Sequence, residues 1–103
     1  MESFWKSISS SEAKELLAQK SQDGDFCILD VRTSGEFSRG AIEGAINLDF
    51  YAPDFSQELA GLDKNKTYLL YCRSGNRSKS ALAIMKQSGF GYVYELDRGF
   101  ISL

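Results

Sequence analysis

Tyr68-Leu69-Leu70-Tyr71-Cys72-Arg73-Ser74-Gly75-Asn76-Arg77-Ser78 is the stretch from which the fold can be read. Its apolar run suits a strand passing through a core, and it delivers a cysteine at the strand's end. A short polar segment with one glycine follows. The spacing then predicts a helix from Ser78, with Ala81, Leu82 and Met85 on one face, closing at Gly89. Strand, tight loop and helix N-terminus place a thiol at a turn whose backbone N–H groups lack intrahelical partners, where the helix dipole adds positive potential. Arg73 and Arg77 add formal charge. Such a turn favours an anion, and the thiolate is the nucleophilic form of cysteine. Cys72 is therefore expected to be a low-pKa nucleophile in an anion cradle.

The rest of the chain reads as a frame for this loop. Ser9 to Glu12 forms a Ser-x-x-Glu capping box preceded by Ile8, and Ala13, Leu16 and Leu17 share a helix face that frays near Lys20. Gln22 to Asp25 is a turn. Phe26 to Leu29 is a continuous apolar run, as in a parallel strand buried on both faces. It ends in Asp30-Val31-Arg32, and Thr33 can cap a short turn through Glu36 and Phe37. Gly40 and Gly44 bracket a loop, and Ala45 to Leu48 reads as a short strand. Pro53 marks a helix start, with Phe55 and Leu59 stacked at i, i+4, and Gly61 ends it. Tyr92 to Leu96 is a last strand with period-two alternation, followed by a turn over Asp97 to Phe100. Alternating strands and short helices predict an α/β domain around a parallel sheet, and such sheets place sites beyond the C-terminal ends of their strands. Cys72 lies there.

Composition narrows the function. At 103 residues, 43% hydrophobic and 13% aromatic, the chain is expected to form a single domain over residues 1–103 with an ordinary core. A net charge of −2 argues against a general nucleic-acid binder, so any positive site must be local. Met1 to Lys6 has no apolar signal core and no run could span a bilayer, which predicts a cytoplasmic protein with no membrane partner. Two cysteines are too few for a disulfide scaffold and lack metal-site spacing. The absence of histidine removes the Cys-His protease arrangement and any His-ligated metal, so fixed charges and dipoles must activate Cys72. Neither a metal nor an organic cofactor is expected.

Against this background the loop Cys72 to Ser78 resembles the persulfide loop of single-domain rhodaneses. Three further stretches match in order. Ile28-Leu29-Asp30-Val31-Arg32 with Glu36-Phe37 is similar to an early family signature. Ile42-Glu43-Gly44-Ala45-Ile46-Asn47 resembles the family's I-P-G-A-I-N segment, and Gly89 to Leu96 resembles the segment ahead of its closing glycines. The resemblance runs from about Ile8 to Phe100. It implies a five-stranded, mostly parallel sheet with helices on both faces. It also implies sulfur transfer, in which Cys72 takes a sulfane sulfur from thiosulfate or a persulfidated protein and hands it to a thiol or to cyanide. The N–H groups of Arg73, Ser74, Gly75, Asn76, Arg77 and Ser78 would form the cradle. The chain departs from the family pattern at Gly40-Ala41-Ile42, where a histidine is common, and at Arg98-Gly99-Phe100, in place of a double glycine with a tryptophan. Arg98 is thereby expected near the loop mouth.

Loop length separates the chain from tyrosine-phosphatase-type loops, which have five residues between cysteine and arginine; four lie between Cys72 and Arg77. The smaller ring suits a sulfur atom. A second reading of the same loop is a persulfide carrier or protein-interaction module with little turnover of thiosulfate, and a catalytically silent regulatory domain is a third. Asp30, Arg32 and Glu36 are read as an ion-pair network supporting the loop, Arg77 as the arginine that holds it, and Arg73 as solvent-facing at the mouth. Cys27, between Phe26 and Ile28, is read as core packing, the tyrosines and Trp5 as core or rim packing, and Lys64, Lys66 and Lys79 as solvated surface. A monomer is expected.

Overall fold

The computed structural model describes residues 2–103. Five strands form one sheet in the order β1-β5-β4-β2-β3, with every neighbouring pair parallel. They are β1 (Phe4–Ile8), β2 (Phe26–Asp30), β3 (Ile46–Asn47), β4 (Thr67–Tyr71) and β5 (Tyr92–Leu96). Between them run α1 (Ser10–Lys20), α2 (Ser34–Ser38), α3 (Phe55–Ala60) and α4 (Asn76–Gln87), and a 3₁₀ turn at Phe100–Ser102 closes the chain.

The continuous apolar strands are explained by cores on both faces. Along β4, Tyr68, Leu70 and Cys72 point to one side with Phe55 and Leu59 of α3 and Ala81 and Met85 of α4. Leu69 and Tyr71 point to the other with Ala13, Leu16 and Leu17 of α1 and with Phe100. Removing both faces of a central strand from water supplies the main stabilising term, at roughly 1.5–3 kcal/mol for each large apolar side chain. The capping box is present: Glu12 donates its N–H to Ser9 Oγ, and Ser9 N–H donates to the Glu12 carboxylate, both at 3.1 Å. Thr33 and Glu36 form a second such box at the start of α2.

Four local expectations shift. The structure adds β1, which the residue pattern did not locate, because its exposure lacks alternation. It forms through pairing with β5, an indole hydrogen bond of 2.6 Å from Trp5 to the Phe90 carbonyl, and the Phe4 ring against Tyr94. Helix α4 begins at Asn76, two residues before Ser78, because Gly75 adopts a φ of 105° and turns the chain early. Helix α3 begins at Phe55, leaving Pro53 in the preceding turn. β3 shrinks to Ile46–Asn47, since its partner strand β2 ends at Asp30, the residue paired with Asn47.

Candidate active site

Cys72 is the first residue beyond β4, on the face that carries α3 and α4. The loop's peptide groups are sorted by direction. Its first two carbonyls face the C-terminal turn, where Phe100 N–H donates to the Cys72 carbonyl at 2.8 Å and Ile101 N–H to the Arg73 carbonyl at 3.1 Å. The N–H groups of Ser74, Gly75 and Ser78 face the sulfur, and Gly75 N–H approaches Sγ at 3.1 Å. Gly75 is required on two counts: its φ is positive, and a Cβ would collide with the Asp97 carbonyl oxygen. Gly99 is packed likewise against the Arg73–Ser74 peptide. The two glycines let the end of β5 press on the outer side of the loop, which holds its N–H groups inward.

Burial pushes the Cys72 thiol up. The Ser78 hydroxyl and the N–H groups of Ser78, Gly75 and Ser74 outweigh it, and they hold the thiol below its ordinary value. Helix α4 starts within this ring of donors, so the dipole acts in the same sense. The residue is 1% exposed, so its sulfur lies at the floor of the loop.

The supporting residues form two separate ion pairs, not one network. Arg32 grips Asp30 with Nε and Nη2, the latter at 2.7 Å, in a buried pair whose guanidinium also donates to the Gly40 carbonyl at 2.6 Å. That guanidinium lies 4.3 Å over the Phe100 ring, so it braces the turn that braces the loop. Asn47 adds to this by donating to the carbonyls of Asp30 and Arg32 at 3.0 and 2.9 Å. Arg77 forms a two-pronged pair with Glu36 at 2.6 and 3.1 Å, tying the start of α4 to α2. Its hydrogen bonds hold the Glu36 carboxyl down at about 2, against the opposing effect of burial. The charge of Arg77 is thus spent on Glu36, and the anion potential at the sulfur comes mainly from N–H groups.

Arg73 is exposed, as expected, and Ser74 and Asn76 contribute backbone with side chains facing solvent. Arg98 is exposed on the turn after β5. Beside the loop lies a depression of about 210 Å³ lined by Arg32, Arg39, Arg73, Glu36 and Phe100. Among the described residues, Arg39 and Arg73 have no carboxylate within ion-pair distance. A larger depression of about 550 Å³ between α1 and the Ile42–Gly44 loop is lined by neither cysteine.

Sequence reasoning missed two residues here. Glu95 is fully buried in β5 and accepts hydrogen bonds from Ser7 and Ser78, both at 2.5 Å. Lys79, read as solvated surface, instead reaches the Asp97 carboxylate at 2.9 Å and the Asp97 carbonyl at 2.8 Å. It also reaches the Gly75 carbonyl at 3.3 Å and, at 3.5 Å, the Glu95 carboxylate. The available signal was Glu95 itself, a carboxylate inside a strand that must be covered on both faces. Cys27 is partly buried against the core inside β2, and burial, partly offset by Lys66, pushes its thiol up. Among the described residues no helix is long and apolar enough to cross a membrane, and no group of three or more metal-ligating side chains is gathered.

A fully parallel sheet ending in a cysteine-centred ring of amide donors defines a class of α/β domains built around a strand-end thiol. The chain belongs to the rhodanese-like domain family, whose model matches residues 9–102. It is 34% identical to a sulfurtransferase of Allochromatium vinosum over 85% of this chain and 81% of the relative. It is 38% identical to a thiosulfate sulfurtransferase of Stutzerimonas stutzeri over 71% of this chain and 65% of the relative. Relatives named tRNA uridine(34) hydroxylase also match, including one from Cytophaga hutchinsonii at 36% identity; there 87% of this chain is covered but only 30% of the relative. Among solved structures, a rhodanese-related protein of Thermoplasma volcanium superposes with a TM-score of 0.79 at 26% identity, over 95% of this chain and 89% of that one. The expected fold and family are thereby established, and the family supports sulfur transfer in general.

Proposed function

We propose that this protein is a sulfurtransferase that carries a sulfane sulfur as a persulfide on Cys72, with thiosulfate or a protein persulfide as donor and a thiol or cyanide as acceptor. The observation that carries the reading is the ring of N–H and hydroxyl donors that lowers the Cys72 thiol despite its burial. The thiolate attacks the outer sulfur of thiosulfate. A new S–S bond forms at Cys72, the old S–S bond breaks, and sulfite leaves with the electron pair. The anionic terminal sulfur then sits among preorganised donors, as an oxyanion does in its hole. An acceptor nucleophile takes that sulfur and returns Cys72 as thiolate, so the cycle balances without an external oxidant or reductant.

Two anions must meet in a chain of net charge −2, and the unpaired Arg39 and Arg73 beside the loop supply the local attraction. With Sγ on the floor of the loop, a donor must present a projecting sulfur. Thiosulfate does so. Hydroxylation, the activity in the names of some relatives, is not part of the proposal, because the Cys72 loop supports sulfur transfer and the match covers 30% of such a relative's length.

A second reading, a persulfide carrier serving a protein donor and acceptor, is favoured by the exposed Tyr51 and Ile101. They are 69% and 61% exposed, Tyr51 lies beside Arg77, and Ile101 lines the depression at the loop, a rim suited to a protein partner. The deciding experiment is thiocyanate formation from thiosulfate and cyanide by the native chain and by Cys72→Ser. Saturable turnover that weakens with salt and vanishes in the variant supports the enzyme. No turnover, together with a one-sulfur mass increase after exposure to a persulfidated protein, moves the assignment to the carrier.

A further inference from the structure

Ser78 has one hydroxyl proton and two acceptors. Cys72 Sγ lies 3.4 Å from Ser78 Oγ, and the same oxygen lies 2.5 Å from Glu95 Oε2. A hydroxyl can donate to only one of them at a time. When Cys72 is a thiol, the pattern closes as S–H to Ser78 Oγ and Ser78 O–H to the Glu95 carboxylate. When Cys72 is anionic, the sulfur needs that O–H, and a charged Glu95 would be left facing a bare Ser78 lone pair. A buried carboxylate in that position avoids the conflict by taking a proton and donating it back to Ser78.

We propose that Glu95 receives the Cys72 proton through Ser78, so that the single proton the pair holds at intermediate pH rests on sulfur in the thiol form and on Glu95 in the thiolate form. The S–H bond breaks as its proton passes to Ser78 Oγ, and the original Ser78 proton passes to Glu95 Oε2. The products are a thiolate accepting from Ser78 and a neutral carboxylic acid donating to it. No proton reaches solvent and nothing is oxidised or reduced. Glu95 is thus a positioning residue that acts through Ser78, in a chain without histidine.

The surroundings make Glu95 able to take the proton and also limit how readily it does so. Its other oxygen accepts from Ser7 of β1 at 2.5 Å. From α4, besides Ser78, it faces Lys79 Nζ at 3.5 Å, a cation committed more closely to Asp97, just beyond β5. From the end of β4 it faces Cys72 by way of Ser78. The carboxylate therefore has one good neutral donor, one distant cation, and the hydroxyl it shares with sulfur.

The inference rests on Cys72 being the reactive thiol, but its test needs no sulfur donor and so stands apart from the transfer assay. Thiolate absorbance is followed against pH in the Cys27→Ser background, so that only Cys72 reports. Two groups sharing a proton titrate as a pair: the thiolate should appear in two steps separated by a pH-independent plateau. Glu95→Gln, which keeps the size and can donate to Ser78 through its amide but has no titratable proton, should collapse this to one step rising about tenfold per pH unit below its midpoint. Ser7→Ala removes a donor from the carboxylate without touching Cys72 or Ser78, and should raise the plateau ratio of thiolate to thiol by about tenfold. A purely structural Glu95 would leave the plateau absent and the Ser7 variant unchanged. If Glu95→Gln fails to fold, an infrared carboxylic-acid band that shifts on ¹³C-glutamate labelling at plateau pH reports the same proton in the folded chain. A single-step native titration, or the absence of that band, overturns the proposal.

Discussion

Cys27 and Cys72 lie on adjacent strands of one sheet and differ in what their sulfurs meet. Cys27 is the second residue of β2 and lies inside the strand, where backbone amides are committed to the ladder, and burial pushes its thiol up. Cys72 is the more buried residue, yet its thiol is held down, because it sits one residue past the end of β4, where the amides of a turn and a helix start are free to converge. Burial alone therefore makes an inert thiol. Burial beside uncommitted donors holds the thiol down, and the position relative to the strand's end decides between them.

The largest expected effect comes from exchanging sulfur for oxygen at each site. Cys72→Ser should abolish thiocyanate formation, a loss of at least about a thousandfold, because a serine hydroxyl is a poor nucleophile at neutral pH. Cys27→Ser should retain activity to within about twofold. If Cys27→Ser kills activity in a folded protein, the contrast fails.

The loop itself is tested next. Gly75→Ala introduces a Cβ at a positive φ and against the Asp97 carbonyl. It should cost about 1–3 kcal/mol in thermal unfolding and slow alkylation of Cys72 more than that of Cys27, since it displaces the Gly75 N–H from sulfur. Equal slowing of both thiols would mean that the donor ring is not what sets them apart.

A smaller effect sharpens the comparison in the native chain. At neutral pH iodoacetamide should modify Cys72 about tenfold faster than Cys27, read by peptide mass. Simple accessibility gives the reverse order, because Cys72 is the more buried, so the two explanations separate cleanly.

The smallest effect concerns the clamp behind the loop. Glu36 is held near 2 by Arg77, so the pair stabilises the fold above the ordinary carboxyl value of about 4.5 and loses that contribution as pH falls toward 2. Solvent at this partly exposed pair limits the loss to about 0.5–1 kcal/mol. Arg77→Ala should flatten the acid limb of the unfolding curve; an unchanged limb would show that the clamp carries no stability.

Much of this arrangement was legible in the residues. The strand–loop–helix around Cys72, the capping box at Ser9 and Glu12, and strands β2, β4 and β5 all follow from local period, cap chemistry and glycine placement. The misses have a common cause. β1 has little pattern of its own and exists because β5 offers it an edge. Lys79 looks like an exposed helix charge until the turn after β5 arrives beneath it, and Glu95 looks like the polar side of an alternating strand until α4 covers that side. Each depends on partners 16 or more residues away, which no local window contains.

The sequence by itself determined that a cysteine would stand at the end of a buried strand, ahead of a glycine turn and a helix, in an acidic chain without histidine. Those are consequences of periodicity and composition. Tertiary structure alone decided which charges face the sulfur. It turned Arg77 aside to Glu36, pressed the end of β5 against the loop so that its amides point inward, and set a buried carboxylate behind Ser78. The physical reason is that a thiol's proton affinity depends on donors and charges within a few ångströms, and the packing of strands β4 and β5 against α4 determines which groups those are.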